Sequence, residues 1–271
     1  MPFTRRACAA LLSVHLLAPL AHASFLARLR YRGGNGGKIS LQKRMHVNTL
    51  ITEPGTVEID WGGLYSFTNG NFRMPTTIKY TPEGSQILWG RTEYSLAFDS
   101  VSNAEIGGGR ITQFSQSLTA TATAVVLDGK KLDVALAPQA TFFLRDESGV
   151  RLGAIVIARC DTGRHSIGAT LSWSSATHGS PTNPAGTWDL GFGYGRRLGA
   201  AGLLGKFTPH TNFVAERSTG LRRVTSLFEG VEYQATERLA FDVAGQHYDV
   251  RGVSPDHQMI FGITLNLGKV E

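Results

Sequence analysis

Between Thr187 and Gly195 every second residue is large and apolar: Trp188, Leu190, Phe192 and Tyr194 interleave with Thr187, Asp189, Gly191, Gly193 and Gly195. A strand sends successive side chains to opposite faces, so this segment presents one wholly apolar face and one small or polar face. The pattern returns where Ile167, Ala169, Leu171 and Trp173 alternate with Gly168, Thr170 and Ser172. It returns again where Phe261, Ile263, Leu265 and Leu267 alternate with Gly262, Thr264 and Asn266. No unbroken run of about 18 apolar residues follows the N-terminal region, and helical periodicity is scarce. Further strands are expected at Val57 to Tyr65, Met74 to Tyr80, Arg91 to Phe98, Phe114 to Val126, Leu132 to Leu144 and Arg151 to Cys160. The set is completed by Phe207 to Glu216, Val224 to Tyr233 and Leu239 to Tyr248.

Alternation alone fits a soluble antiparallel sheet with one wet face as well as a membrane wall. Composition on the second face separates the two. A soluble sheet exposes charges and buries large apolar groups, whereas here Gly, Ala, Ser, Thr and scattered carboxylates oppose the apolar phase. Strands with an apolar outer face in lipid must close on themselves, because no backbone group can stay unpaired there. The sequence therefore predicts an all-β, closed antiparallel transmembrane barrel of about twelve strands, each near the length of about 9 to 11 residues that a tilted strand needs to cross. An even strand number returns both termini to one side, here expected to be periplasmic. Trp61, Tyr80, Trp173, Trp188, Tyr194 and Tyr233 are placed as interfacial girdles would be. Short turns at Asp128 to Lys131, Asp161 to Arg164 and Thr236 to Arg238 suit the periplasmic side, and Asp99 to Thr112 and Ser174 to Gly186 suit external loops. Pro82 to Gly90 and Arg197 to Gly205 are long for their assigned side.

Residues 1–23 read as a cleavable export signal. Arg5 and Arg6 precede the apolar run Ala7 to Leu17, and Ala21-His22-Ala23 ends it with small residues, so cleavage is expected before Ser24. Residues 24–54, with Gly33-Gly34-Asn35-Gly36-Gly37, read as a flexible periplasmic arm, 55–268 as the barrel and 269–271 as a tail. Removing the signal's two arginines and no acids takes the net charge from +6 to +4. That mild excess has no dense basic stripe, so no nucleic-acid partner is expected. Cys8 leaves with the signal, so Cys160 is alone and reads as a packing residue. His46, His165, His178, His210, His247 and His257 show no ligand spacing, and neither a metal nor a cofactor is expected.

If the apolar phase faces lipid, Glu58, Asp60, Glu93, Asp99, Asp133, Asp189, Glu216, Glu232 and Asp242 face the lumen, against the bases Lys79 and Arg159. Carboxylate-lined pores favour cations, so a passive channel for small solutes with weak cation preference is expected; a barrel plugged by ion pairs is the alternative. Glu229 falls on the phase of Leu227, Val231 and Tyr233, which suggests either a bulge at Glu229-Gly230 or a different phase for this strand.

Gly262, Leu265 and Leu267 form a Gly-x-x-apolar-x-apolar pattern resembling the terminal strand read by the barrel-assembly machinery, although Lys269-Val270-Glu271 follows in place of a final aromatic. Glu53-Pro54-Gly55-Thr56-Val57-Glu58-Ile59-Asp60-Trp61-Gly62 and Gly230-Val231-Glu232-Tyr233-Gln234-Ala235-Thr236-Glu237-Arg238-Leu239-Ala240 resemble transporters of the phenol-degradation meta-pathway type. That resemblance covers most of residues 53–268 and implies a bacterial outer-membrane barrel among lipid and lipopolysaccharide. The outline also resembles the outer-membrane phospholipase, a lipid hydrolase with a His-Ser-Asn constellation. His165-Ser166 and His178-Gly179-Ser180 with Asn183 are the nearest residues, and neither matches that family's His-x-Ser-Asn-Gly run. No enzymatic role is expected. A secreted soluble barrel that binds an apolar ligand, as lipocalins do, should carry a charged outer face instead.

Overall fold

The computed structural model of this chain describes residues 13–14, 51–67, 70–83, 86–87, 90–106, 109–113, 117–129, 132–144, 149–178, 185–219, 223–250 and 255–269. Twelve long strands make the wall: β1 Thr56–Ser66, β2 Phe72–Tyr80, β3 Gly90–Ile106, β4 Ser117–Asp128, β5 Leu132–Phe143 and β6 Val150–Thr162. They continue as β7 His165–Ala176, β8 Gly186–Arg196, β9 Phe207–Ser218, β10 Val224–Gln234, β11 Leu239–Val250 and β12 Pro255–Lys269. Each pairs antiparallel with its sequence neighbours, and β12 pairs back onto β1 from Gln258↔Ser66 to Lys269↔Thr56. The sheet is closed and has no free edge, as strands in lipid require. Short pieces lie at Ser13–Val14, beside β12, and at Gln86–Ile87 and Gly109–Gln113, both beside β3.

The outer phase carries the large apolar side chains. Leu136, Leu152, Val156, Leu171, Leu190, Phe192, Phe213, Val243, Phe261 and Leu265 are all exposed on it, while their strand neighbours are buried or half-buried. This inversion of the usual globular arrangement follows from the two-residue period together with closure, because one phase must point out and the other in. Trp173 and Trp188 pair across β7 and β8 at one rim, with ring centroids 6.3 Å apart. Phe207 and Tyr233 pair at the other rim, 4.8 Å apart. Trp61 departs from the girdle expectation: it lies at the middle of β1.

Three irregularities adjust the register. Pro75 has no N–H to give the ladder, and the β2–β3 pairing shifts there between Met74 and Pro75, with Ser100 as the extra residue. Between Val125 and Leu127 the β4–β5 register shifts, so Val126 and Leu127 both face outward. At the seam the shift lies between Asn266 and Gly268, where Gly268 adopts a φ of 85°. By contrast, β10 pairs without a shift to both β9 and β11 through Glu229 and Gly230. The suspected bulge there does not exist, and Glu229 stays on the outer phase, exposed opposite Thr211 and Gly245.

Two further expectations need correction. Asp99 to Thr112 is not a loop: β3 continues to Ile106 and pairs with Gly109–Gln113, so the hairpin extends beyond the wall. The last residues of the expected flexible arm are packed. Pro54-Gly55 reverses the chain, with Gly55 at φ 81° and its N–H donating to Thr81 O at 2.6 Å, and this turn directs Ile51 and Thr52 into buried positions. Residues 24–50, and the signal segment apart from Ser13–Val14, lie outside the described residues.

Candidate functional site: the barrel interior

The buried phase of each strand points into the barrel, and its polar content is unusual for a protein interior. All nine expected acids and both expected bases lie on this phase; Glu58, Asp60, Glu93, Asp99, Glu216, Asp242, Lys79 and Arg159 are buried, and Asp133, Asp189 and Glu232 are half-buried. Buried charges persist only where partners compensate them. Around Lys79 those partners are explicit: Nζ donates to Glu58 Oε1 at 2.7 Å and pairs with Asp60 Oδ2 at 2.5 Å. Glu93 stands close enough to add to the field on Lys79, and its Oε2 accepts the Thr52 N–H at 2.8 Å. These residues converge because Glu58↔Lys79↔Ser95 and Asp60↔Thr77 are register partners, which stacks their side chains on one face.

Sequence reasoning missed several inward charges. Arg73 donates from Nε (3.0 Å) and Nη2 (2.5 Å) to Asp99 Oδ2. Arg91 pairs with Asp128 at 2.6 Å, and Arg159 with Asp161 at 3.0 Å. Arg151 is buried, with Nη1 donating to Ser174 Oγ (2.9 Å) and Thr187 Oγ1 (3.1 Å). Ser218 donates to Glu216 Oε1 at 2.9 Å, and Ser172 to Asp189 Oδ2 at 2.7 Å. Burial holds the Arg197 guanidinium, in the connection after β8, below its ordinary pKa, against the raising pull of Glu232 and Asp161. Among the described inward residues acids still outnumber bases, by less than nine to two. The missed residues all sit within two positions of a strand end, where the alternation is shortest and least telling.

The interior also holds an apolar cluster. Val125 of β4, Ala135 and Ala137 of β5, Ile155 and Ile157 of β6, and Val214 of β9 pack together with Ile51. Since β7 and β8 separate β6 from β9, and Ile157↔Thr170↔Gly191↔Val214 is one continuous row, the cluster bridges across the inner surface. Ile51 enters from the rim that carries both barrel ends. Thr52 Oγ1 and Thr81 Oγ1, 2.7 Å apart, fix its neighbour there.

A closed barrel with an apolar exterior and a polar interior is the form in which strands cross the outer membrane, and this chain is built for that location. Its fold is that of the outer-membrane porins. A solved NanC porin is similar with a TM-score of 0.54 at 10% identity, over 76% of this chain and 98% of that one. A KdgM porin in complex with disordered oligogalacturonate gives a TM-score of 0.52 at 10% identity, over 77% of this chain and 98% of that one. No protein-family model and no curated protein matches the sequence. The likeness is one of barrel architecture, and none of these comparisons shows the resemblance to the meta-pathway transporters.

The hydrolase constellation is not assembled among the described residues. His165 faces outward at a rim, where Nδ1 lies 2.8 Å from Tyr194 Oη, and Ser166 belongs to the opposite phase. Adjacent strand residues cannot share a proton across the sheet. His178 is exposed, and Gly179, Ser180 and Asn183 lie outside the described residues. Two histidines that looked scattered do meet: His247 and His257 are register partners with ring centroids 5.5 Å apart. Among the described residues no three His, Cys, Asp or Glu side chains are arranged to hold a metal ion.

Outside, Glu229 lies in an open groove of about 980 Å³ across β8 to β12, lined also by Tyr194, Pro209, Thr211, Val243 and Met259.

Proposed function

We propose that this protein is a passive outer-membrane channel for small solutes, with a weak preference for cations. The observation that carries the reading is the inner face itself, where Glu58, Asp60, Glu93, Asp99, Asp133, Asp189, Glu216, Glu232 and Asp242 exceed the inward bases within a closed, lipid-compatible wall. Carboxylates along a narrow path raise the local concentration of cations over anions. The preference is weak because Arg73, Lys79, Arg91, Arg151 and Arg159 neutralise part of the field, and because molar salt shortens the Debye length to about 3 Å. The rim carrying Thr56 and Lys269 is assigned to the periplasm, with residues 1–23 removed on export.

Reconstitution in planar bilayers under a salt gradient tests the reading through the reversal potential. Asp133→Asn with Asp189→Asn should move it toward zero, and anion preference would overturn the cation assignment. A second reading has its own support: the Ile51 cluster fills part of the interior, as in a barrel plugged at rest. Absence of conductance in every preparation would favour that structural barrel.

A further inference from the structure

One interior row is used by neither the ion pairs nor the Ile51 cluster, and its central Phe228 packs with Ala244, Ile260 and Leu64. Asn212, Phe228 and Gln246 are successive register partners on β9, β10 and β11, all on the inward phase, with exposures of 2%, 3% and 0%. Both amide atoms of Asn212 and both of Gln246 are buried without a hydrogen-bond partner. An unmade buried hydrogen bond costs about 1–3 kcal/mol, so two wholly unpaired carboxamides in one row need a reason.

The wall is shaped to hold these groups. A Cβ at Gly193, the register partner of Asn212 on β8, would overlap Asn212 Oδ1. At Gly230 a Cβ would come 2.9 Å from His210 Nε2, and His210 in turn stacks on Phe228, with centroids 5.3 Å apart and planes 17° from parallel. The glycines thus leave room for Asn212 and His210, and Phe228 sits with one carboxamide on either side. Strand spacing puts the two flanking amides about 10 Å apart.

A carboxamide offers a donor and an acceptor together, and two neighbouring hydroxyls answer both, since each hydroxyl donates and accepts. Between the amides Phe228, stacked by His210 and packed with Ala244, Ile260 and Leu64, adds a fixed apolar surface. Along the same strands and the same phase, Glu216, Glu232 and Asp242 lie four residues from Asn212, Phe228 and Gln246 respectively, a field that disfavours an anionic solute. We propose that Asn212, Phe228 and Gln246 form a binding site inside the barrel for a neutral polyhydroxylated solute of the saccharide class. Access to the row rests on the channel reading.

Calorimetric titration of the full barrel in detergent reads the site independently of conduction. Maltotriose should bind, while trigalacturonate should bind more weakly, and polyethylene glycol of matched mass should give no saturable heat. Asn212→Leu and Gln246→Leu, each checked for folding by heat-modifiable migration, should weaken maltotriose binding about tenfold or more, equal to at least about 1.4 kcal/mol each. In bilayers, maltotriose should interrupt the ionic current of the unaltered barrel and do so less in the two variants. Unchanged binding in folded variants, or no maltotriose heat at all, would overturn the site and leave the amides to ordered water. Maltotriose heat without conductance would support the site and overturn the channel.

Discussion

Phe261 of β12 lies over Gly63 of β1, so that its ring fills the space where a Cβ at that glycine would stand. The two are register partners across the closing seam, and Phe72 of β2 stacks beyond them with its ring centroid 6.5 Å from that of Phe261. The ring covers backbone that glycine leaves bare, a known way of rescuing a glycine in a sheet. Gly63→Ala should therefore force the ring aside and lower stability by about 1–3 kcal/mol. Adding Phe261→Leu should return part of that loss, read as the urea midpoint of unfolding from lipid vesicles.

Lys79 is the base that Glu58 and Asp60 share. Lys79→Met would leave those buried carboxylates, with Glu93 nearby, without their cation. Removing one partner of a buried pair costs about 3–5 kcal/mol, so the variant should assemble poorly. Glu58→Gln in the same chain should recover some folded, heat-modifiable barrel, whereas full tolerance of Lys79→Met would contradict the buried cluster.

The opposite faces of β8 should respond in opposite ways. Asp189 accepts from Ser172 on the inside, and Asn keeps that acceptor, so Asp189→Asn should fold normally. Its neighbour Leu190 is exposed on the outer phase, and Leu190→Arg should cost about 2–4 kcal/mol if it faces the middle of the bilayer. Comparison of folding yields in vesicles checks the order of the two.

Ile51 is anchored among Val125, Ala135, Ile155, Ile157 and Val214 although it precedes the first wall strand. Ile51→Ala should remove about 2–5 kcal/mol of packing and open space within the barrel. Single-channel conductance should rise in this variant. An unchanged unfolding midpoint would show that the segment leaves the interior in the membrane.

The sequence by itself determined the strands and their faces, because a two-residue period is local and survives without knowledge of neighbours. Trp188 to Tyr194 declare an outer face in their own segment, and the inward phase of Asp189 follows from it. It could not show Arg73 beside Asp99, or the bulges at Ser100 and Val126, because register is set by pairs distant in the chain. Glu229 misled for the opposite reason: its cost in lipid suggested an interruption, yet unbroken pairing to β9 and β11 keeps it outward in a groove shaped by five strands. Only the tertiary structure decided that Ile51 turns inward and that Asn212, Phe228 and Gln246 share a row. Residues 16 and 18 positions apart become neighbours only when hairpin lengths fix which strand positions face each other.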